Sequence, residues 1–251
     1  MLSTGPSPPV AEEVFGIPFW CDGNANAVAA MRDWLADGRY FNVAFANPEF
    51  LLVAEKDAAL AAYLRQCRAV YADGAGIVWA SKLQGGRIRE RITGTDFQWH
   101  IFELADELGL RLYLFGGRPG IAATAAAKIH ERVHGLQGRI GCCDGYMPRE
   151  QALARIKAYS PDIIMVCLGN PLQEAWIGGH GEETGARLVF GNGGALDFIA
   201  GQVRRAPAWM RDRGFEWLWR LAQDLSWTRI RRQARLSRYL VKLVRLMGRR
   251  R

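Results

Sequence analysis

Short apolar runs alternate with longer amphipathic stretches from residue 11 to residue 203. The runs are rich in Val, Ile, Leu and Phe, and "DIIMVCLG" is apolar at consecutive positions, which is typical of a strand covered on both faces. They predict strands at 41–46, 69–72, 111–115, 139–142, 162–168 and 187–190. The amphipathic stretches predict helices at about 24–37, 49–66, 74–84, 97–109, 119–134, 149–159 and 172–184. This alternation indicates an α/β protein with a largely parallel sheet and helices on both faces.

The pattern changes at Arg204, after which no strand signal is found. Residues 204–251 hold fifteen basic and three acidic side chains, a net charge of +12, whereas residues 1–203 carry a net charge of −4. Between 226 and 248 apolar side chains, Leu243 and Val244 among them, share one helical face and arginines crowd the other. This is typical of a helix on an anionic membrane surface, and the alternative is a helix packed on the body with a solvated basic face.

These changes in composition divide the chain into three parts. We expect residues 1–10 to be disordered, residues 11–203 to form the α/β core, and residues 204–251 to form a basic, Trp- and Arg-rich helical appendage. No apolar run is long enough to span a bilayer, and the N-terminus does not resemble a signal peptide. The five cysteines have no framework spacing. Reduced thiols in a cytoplasmic protein are therefore expected.

Two acidic residues stand where strands or loops give way to helices, which is where parallel sheets bind ligands. Asp73 follows the run 69–72 and precedes a glycine and a helical stretch. Its position fits a helix cap and a group that moves a proton equally well. Gly94, Thr95 and Asp96 in "GTDF" form a further candidate substrate-binding turn. Asp96 is the rival acid, and we favour a cap as its role.

Glycines mark two further junctions. Gly116 and Gly117 in "LFGGRPGIAATAA" allow the backbone to approach an anion at a helix N-terminus, so that this loop fits a phosphate cradle. A tight turn explains the same glycines equally well. Gly193 and Gly194 in "GNGGALDF" follow the last predicted strand and form another candidate binding loop.

The stretch "GNPLQEAW" places an amide and a carboxylate near the start of a helix, at the end of a strand. Pro171 suits the first turn of that helix. The amide of Gln173 fits a hydrogen bond to a sugar or a base. Glu174 fits either a ligand contact or a favourable interaction with the helix dipole.

Residue patterns that hold a metal or an organic cofactor are missing from the sequence. His130 and His134 are four residues apart, but "HERVH" lacks the metalloprotease arrangement. Asp-x-Asp, Gly-x-Ser-x-Gly and Gly-Lys-Ser/Thr do not occur, and the glycine loops lack a dinucleotide fingerprint with its acidic partner. We therefore expect neither a metal nor a cofactor.

The junctions taken together, in this order, resemble the WecG/TagA/CpsF glycosyltransferase family. The matching stretches cover most of residues 41–232 and are "ANPEFL", "ADGAGIVWASKLQGGRIRERITGTDF", "LYLFGGRPGIAATAA", "DGYM", "PDIIMVCLGNPLQEAWI", "GNGGALDFIAGQVRRAPAWM" and "GFEWLWRL". The resemblance implies a Rossmann-like core and a metal-independent, inverting transfer of an N-acetylmannosamine-type or related hexose. It also implies a UDP-sugar as donor, a polyprenyl-diphosphate-linked sugar as acceptor, and a product that serves cell-surface polysaccharides.

The resemblance also assigns roles to single residues. Asp73 falls on the family's proposed base, and Asn47 and Gln173 fall on polar residues of its pocket. The family's basic appendage, which we expect to grip the acceptor's diphosphate, falls on Arg205, Arg220, Arg229, Arg231 and Arg232. The implied location is the inner face of the plasma membrane, with an anionic membrane surface as partner, no nucleic acid, and a homo-oligomer left open.

The sequence departs from the family pattern at three places. Phe45 stands where the family usually has Thr, Asn192 stands where Val is common, and the usual Glu-Pro is replaced within 222–228. Phe45 leaves the donor open between N-acetylmannosamine, its uronic acid, glucose and glucuronic acid. The rival interpretations are a nucleic-acid-binding protein, through the Trp- and Arg-rich tail, and another nucleotide-cofactor α/β enzyme.

Overall fold

The computed structural model describes residues 10–203, 207, 210, 219, 238–239 and 241–244. The strands are β1 (Ala11–Val14), β2 (Ile17–Trp20), β3 (Phe41–Ala46), β4 (Ala69–Ala72), β5 (Leu112–Gly116), β6 (Ile140–Cys143), β7 (Ile163–Cys167) and β8 (Leu188–Gly191). The helices are α1 (Gly23–Asp37), α2 (Pro48–Ala54), α3 (Ala58–Gln66), α4 (Ala75–Gln84), α5 (Gly94–Glu107), α6 (Ile121–Arg132), α7 (Arg149–Tyr159), α8 (Leu172–His180) and α9 (Ala195–Ile199). Short 3-10 turns span His134–Leu136 and Glu182–Thr184.

Strands β3 to β8 form one parallel sheet in the order β4-β3-β8-β7-β5-β6. Helices cover both faces, which confirms the predicted α/β class and is consistent with a Rossmann-like fold. The six predicted strands are confirmed, each within one residue at either end. All strands of the sheet run in the same direction, so that their carboxyl ends share one edge.

Alternate residues of the strands face two separate hydrophobic cores. Val43 and Phe45 point into the core formed with α1, α5, α6 and α9, whereas Ala44 and Ala46 point into the core formed with α2, α3, α4, α7 and α8. Because apolar side chains are needed on both faces, the strands read as continuous apolar runs in the sequence.

A two-stranded antiparallel hairpin of β1 and β2 precedes the sheet and was not predicted. Its turn is formed by Phe15, with φ of 51°, and Gly16, with φ of 80°. A turn with two positive φ values usually carries Asn, Asp or Gly at the first position, and a bulky aromatic residue there gives no turn signal. The helix α9 was also not predicted, because it is only five residues long.

The single helix predicted at 49–66 is two helices in the structure. The first, α2, ends at Ala54, and α3 begins at Ala58 after Asp57, whose side chain accepts a hydrogen bond from the Leu60 N–H at 3.0 Å. Asp57 therefore caps a new helix where the apolar periodicity alone continues.

Of the appendage, the structure describes a helical stretch at 241–244 and a few further residues. The boundaries at residues 10 and 204, and the disorder predicted for residues 1–10, fall largely outside the described residues and stay predictions. Within the described part of the chain, no helix is both long and apolar enough to cross a membrane. All five cysteines lie in that part, and none forms a disulfide.

Candidate active site

Asn47 and Asp73 lie side by side at the carboxyl edge of the sheet. They follow β3 and β4, whose register pairs Ala46 with Ala72, and the Asp73 N–H donates to the Ala46 carbonyl at 3.0 Å. The Asn47 Oδ1 accepts a hydrogen bond from the Phe50 N–H at 3.0 Å and so caps α2. An amide and a half-buried carboxylate thus meet at one point of the edge because the two strands are parallel neighbours.

Asp73 does not occupy the N-cap position of α4. That position belongs to Gly74, which has φ of 134° and makes no side-chain cap, and the helix begins at Ala75. The alternative interpretation of Asp73 as the helix cap is therefore wrong for the N-cap position itself. The carboxylate stands one residue earlier, in the strand-to-helix junction, where the general-base role remains a prediction.

The loop between α4 and α5 closes the other side of this junction. The Ile92 N–H donates to the Ala72 carbonyl at 2.9 Å, so that the end of the loop runs beside the end of β4. A cavity of about 210 Å³ lies on one side of the loop, lined among others by Trp20, Asp22 and Ala72. A second cavity of about 230 Å³ is lined among others by Arg91 and Asp96.

Arg91 is a cation that the sequence analysis did not single out. It lies two residues before Thr93, at the loop that borders the Asp73 junction. The sequence does contain a signal for it, because a basic residue stands shortly before the N-terminus of a predicted helix. The charge of the arginine and the helix dipole both favour an anionic group at this place.

Gly94, Thr95 and Asp96 form the first turn of α5. The N-cap is Thr93, and its hydroxyl donates to the Asp96 carboxylate at 2.7 Å. Our preferred interpretation of Asp96 as the cap is therefore wrong in detail. Asp96 lies within the first turn and accepts from the cap residue, where its charge also favours the helix dipole.

Two of the three departures from the family pattern, Phe45 and Asn192, meet at Gly94. A Cβ on Gly94 would lie 2.2 Å from Asn192 Oδ1 and 3.1 Å from Phe45 Cγ. The Asn192 amide donates to the Gly94 carbonyl at 3.1 Å and to Gln98 Oε1 at 2.8 Å. Phe45 is buried and stacks on Tyr71 with ring centroids 5.3 Å apart. Phe45 and Asn192 thus pack around one buried glycine that leaves no room for a side chain.

Gln173 and Glu174 lie in the first turn of α8 and are buried, with 6% and 3% of their surface exposed. The Gln173 Oε1 accepts a hydrogen bond from the Gly193 N–H at 2.9 Å, and its Nε2 donates to Glu174 Oε1 at 2.7 Å. Gly193 has φ of 46° and Gly194 precedes α9. The structure therefore brings the buried side chains of Gln173 and Glu174 against a half-buried turn at Gly193, and Gly194 is exposed.

Gly116 and Gly117 lie where β5 ends. A Cβ on Gly116, which has φ of 137°, would lie 2.3 Å from the Cys167 carbonyl oxygen of β7. Gly116 is therefore required by the close approach of two strands, whether or not the loop binds a phosphate. By the spacing of adjacent strands, this end of the sheet is roughly 19 Å from β4.

The C-terminal stretch contacts the body beside Asp73. Tyr239 is buried, and its hydroxyl donates to the Gly76 carbonyl, in the first turn of α4, at 2.9 Å. Lys242 forms an ion pair with Glu55. Leu243 is buried in the hydrophobic core that the sheet forms with α2, α3, α4, α7 and α8. Leu243, expected on the membrane-facing side, thus packs on the body, as the alternative interpretation held.

Val244 is 65% exposed. The arginines expected to bind the acceptor's diphosphate lie outside the described residues; they are Arg205, Arg220, Arg229, Arg231 and Arg232.

Within the described ranges, no group of three or more His, Cys, Asp or Glu side chains is arranged to hold a metal ion. The expectation of metal independence stays a prediction.

A parallel α/β sheet with polar side chains gathered at its carboxyl edge defines the doubly wound class of ligand-binding proteins. Within that class, the chain belongs to the glycosyl transferase WecG/TagA/CpsF family, whose model matches residues 12–251. It is similar to the N-acetylglucosaminyldiphosphoundecaprenol N-acetyl-beta-D-mannosaminyltransferase of Bacillus subtilis (strain 168), with 31% identity over 176 residues, which are 70% of this chain and 68% of the relative. The predicted family and the prediction of a glycosyltransferase are confirmed.

Proposed function

We propose that this glycosyltransferase moves N-acetylmannosamine from a UDP-sugar to N-acetylglucosamine carried on a polyprenyl diphosphate. The family match supports sugar transfer, and the name of the Bacillus subtilis relative supports this sugar and this acceptor. The observation that carries the proposal is the junction of Asn47 and Asp73 at the carboxyl edge, which places a carboxylate beside an amide where such sheets bind ligands.

The reaction is a single displacement. A hydroxyl oxygen of the acceptor attacks the anomeric carbon of the donor, the bond from that carbon to the diphosphate oxygen breaks, and UDP leaves with the electron pair. Asp73 takes the proton from the attacking hydroxyl as general base. The relative's name specifies a β-linked product, which one displacement gives from a donor of α configuration, so that inversion is favoured.

The departing diphosphate requires positive charge or N–H donors. Arg91 lines the cavity beside the loop whose Ile92 N–H donates to the Ala72 carbonyl, and its guanidinium group is proposed to supply this charge. The arginines of the appendage are proposed to hold the acceptor's diphosphate, for which guanidinium groups are suited. These groups together make a metal ion unnecessary in the proposed mechanism.

The proposed location is the inner face of the plasma membrane, where the lipid-linked acceptor is embedded. Tyr239 and Lys242 attach the C-terminal stretch beside the site, and Val244 is exposed on it. The basic excess of residues 204–251 favours an anionic lipid surface. An appendage attached at this point brings the membrane and the Asp73 junction together.

Transfer from a panel of UDP-sugars to a short-chain polyprenyl-diphosphate N-acetylglucosamine, with EDTA present, tests the proposal. The expected result is turnover with UDP-N-acetylmannosamine and a β-linked disaccharide product. UDP-glucose, UDP-glucuronic acid and the UDP derivative of N-acetylmannosamine's uronic acid serve as competing donors. Turnover with one of these alone would correct the donor, and turnover only after Mg²⁺ is restored would contradict the metal-free mechanism.

A further inference from the structure

The side chain of Gln173 contacts three neighbouring residues. Its side chain lies directly over the end of β8, because a Cβ on Gly191 would lie 2.6 Å from Gln173 Nε2. Its oxygen accepts from the Gly193 N–H at 2.9 Å, and its nitrogen donates to Glu174 Oε1 at 2.7 Å. The amide thus joins α8 to the turn between β8 and α9.

An amide side chain is polar at both ends, so its partners decide which way it points. The Gly193 N–H can only donate, and an ionised carboxylate can only accept. With both partners in place, one orientation of the Gln173 amide satisfies both hydrogen bonds. A partner at position 174 that is able to donate weakens this selection, because the flipped amide can then still bond to position 174 and loses only the bond to Gly193.

We propose that Glu174 is a positioning residue for the transfer reaction, which fixes the Gln173 amide in the orientation that binds Gly193 and thereby sets the turn at Asn192–Gly194. This turn matters for the site because Asn192 donates to the Gly94 carbonyl and to Gln98 Oε1, in the first two turns of α5. The inference rests on the proposed function only for its kinetic test.

The environment of Glu174 supports this role. Its Oε2 is buried without a hydrogen-bond partner among the described residues. Burial raises the pKa of the Glu174 carboxyl to about 7, and the hydrogen bond from Gln173 opposes this effect only in part. A carboxyl group kept in such a place at a cost to its charged form fits a role in function more than one in stability.

The other titratable groups that face Glu174 come from α3 and from the segment before β3. Burial, with the nearby Glu174 charge adding to it, raises the pKa of Cys67 to about 12 and that of Tyr63 well above its usual range. Burial likewise raises the pKa of Tyr40, which lies near Tyr63, to about 12. All three stay neutral between pH 5 and 9, so that Glu174 alone of this group changes its charge there.

The kinetic test compares the wild type with Glu174→Gln, which keeps the size of the side chain and removes its charge. Above pH 7 the ionised carboxylate makes a charge-assisted hydrogen bond, which is about twice as strong as a neutral one. We expect kcat of the wild type to rise through a pKa near 7, and kcat of Glu174→Gln at pH 8 to be about tenfold lower without that step. KM for the donor should change by less than about threefold.

Glu183→Gln is the matched control, because Glu183 is an exposed carboxylate three residues beyond the end of α8. Its kcat and pH profile should equal those of the wild type. A Glu174→Gln variant with wild-type kcat, or one that keeps the step near pH 7, would overturn the proposal.

Hydrogen exchange of the Gly193 amide, measured by NMR, gives a readout that needs no turnover. The protection of this amide should rise through pH 7 in the wild type and be about tenfold lower in Glu174→Gln at pH 8, with Glu183→Gln unchanged. Equal protection in both proteins would overturn the proposal. If the wild type transfers no sugar, the proposed function fails, and the exchange at Gly193 still decides the role of Glu174.

Discussion

Replacing Gly116 by alanine should destabilise the fold far more than replacing Gly120 by alanine. Both glycines have positive φ, 137° and 87°, so that either alanine meets an unfavourable backbone conformation. At Gly120 no described atom lies within 4 Å of the added Cβ, whereas at Gly116 the Cys167 carbonyl oxygen and carbon lie at 2.3 and 2.5 Å. Gly120→Ala is therefore the matched control for the backbone cost.

The magnitudes follow from these contacts. A left-handed alanine costs about 1–2 kcal/mol, partly offset by a less flexible unfolded chain, so that Gly120→Ala should cost about 1 kcal/mol. At Gly116 an overpacking cost of about 1–3 kcal/mol is added, near its upper end because β5 and β7 are hydrogen-bonded to each other and cannot easily separate. We expect about 4 kcal/mol in total for Gly116→Ala.

Urea unfolding followed by circular dichroism measures both changes. With an m value of about 3 kcal/mol/M, the difference between the variants should move the midpoint by about 1 M. Equal midpoints would refute the reasoning that Gly116 is required by the contact between the strands. The Gly120→Ala variant should stay folded, so it can also test whether this loop binds the donor. A lower affinity for UDP in this variant than in the wild type would support a phosphate-binding loop.

Two further changes test other parts of the structure. Because the pKa of Glu174 in the folded protein, about 7, lies above the usual 4.5, the wild type should lose stability as pH rises from 4.5 to 7. The loss should approach roughly 3 kcal/mol in the unfolding free energy, and it should be absent from Glu174→Gln. The same pH dependence of stability in the wild type and in this variant would contradict the buried charge. Tyr239→Phe removes the hydrogen bond to the Gly76 carbonyl and should cost about 1 kcal/mol in urea unfolding, whereas Tyr146→Phe, at an exposed tyrosine, should cost nothing measurable. No difference between the two would show that the C-terminal stretch does not bind there.

Glu174 illustrates a trade between stability and function. Its ionised form costs folding free energy because the carboxylate is buried with one oxygen unpartnered. The same ionised form holds the Gln173 amide most firmly. A glutamine at this position is therefore expected to give a more stable and less active enzyme.

The parallel sheet was predictable from the sequence because its strands are buried on both faces and read as apolar runs. The same topology made the neighbourhood of Asn47 and Asp73 predictable, since both follow strands that end at one edge. The β1–β2 hairpin was not, because Phe15 adopts a backbone conformation that its residue type disfavours. Local pattern also gave no sign that Asp57 starts a second helix within the stretch 49–66.

Contacts between distant parts of the chain set the rest of the site. The hydrogen bond between Gln173 and Gly193 joins helix α8 to a turn that lies 20 residues away in the sequence, and no periodicity predicts such a contact. The attachment of Tyr239 at Gly76 spans 163 residues. The apolar face of the C-terminal helix predicted burial of some kind, but amphipathicity does not distinguish a protein partner from a lipid one, as the burial of Leu243 shows.

The central claim is that Asp73 takes the proton from the acceptor, and single-turnover transfer by Asp73→Asn tests it most directly, with Asp96→Asn as the comparison. General-base catalysis contributes about 100- to 10,000-fold, so Asp73→Asn should lower the rate of the chemical step by at least about 100-fold while UDP-sugar affinity stays within about threefold. Asp96→Asn changes a carboxylate that accepts from the Thr93 hydroxyl in the first turn of α5, and it should lower the rate by less than about tenfold. A wild-type rate in Asp73→Asn, or the large loss in Asp96→Asn instead, would contradict the account.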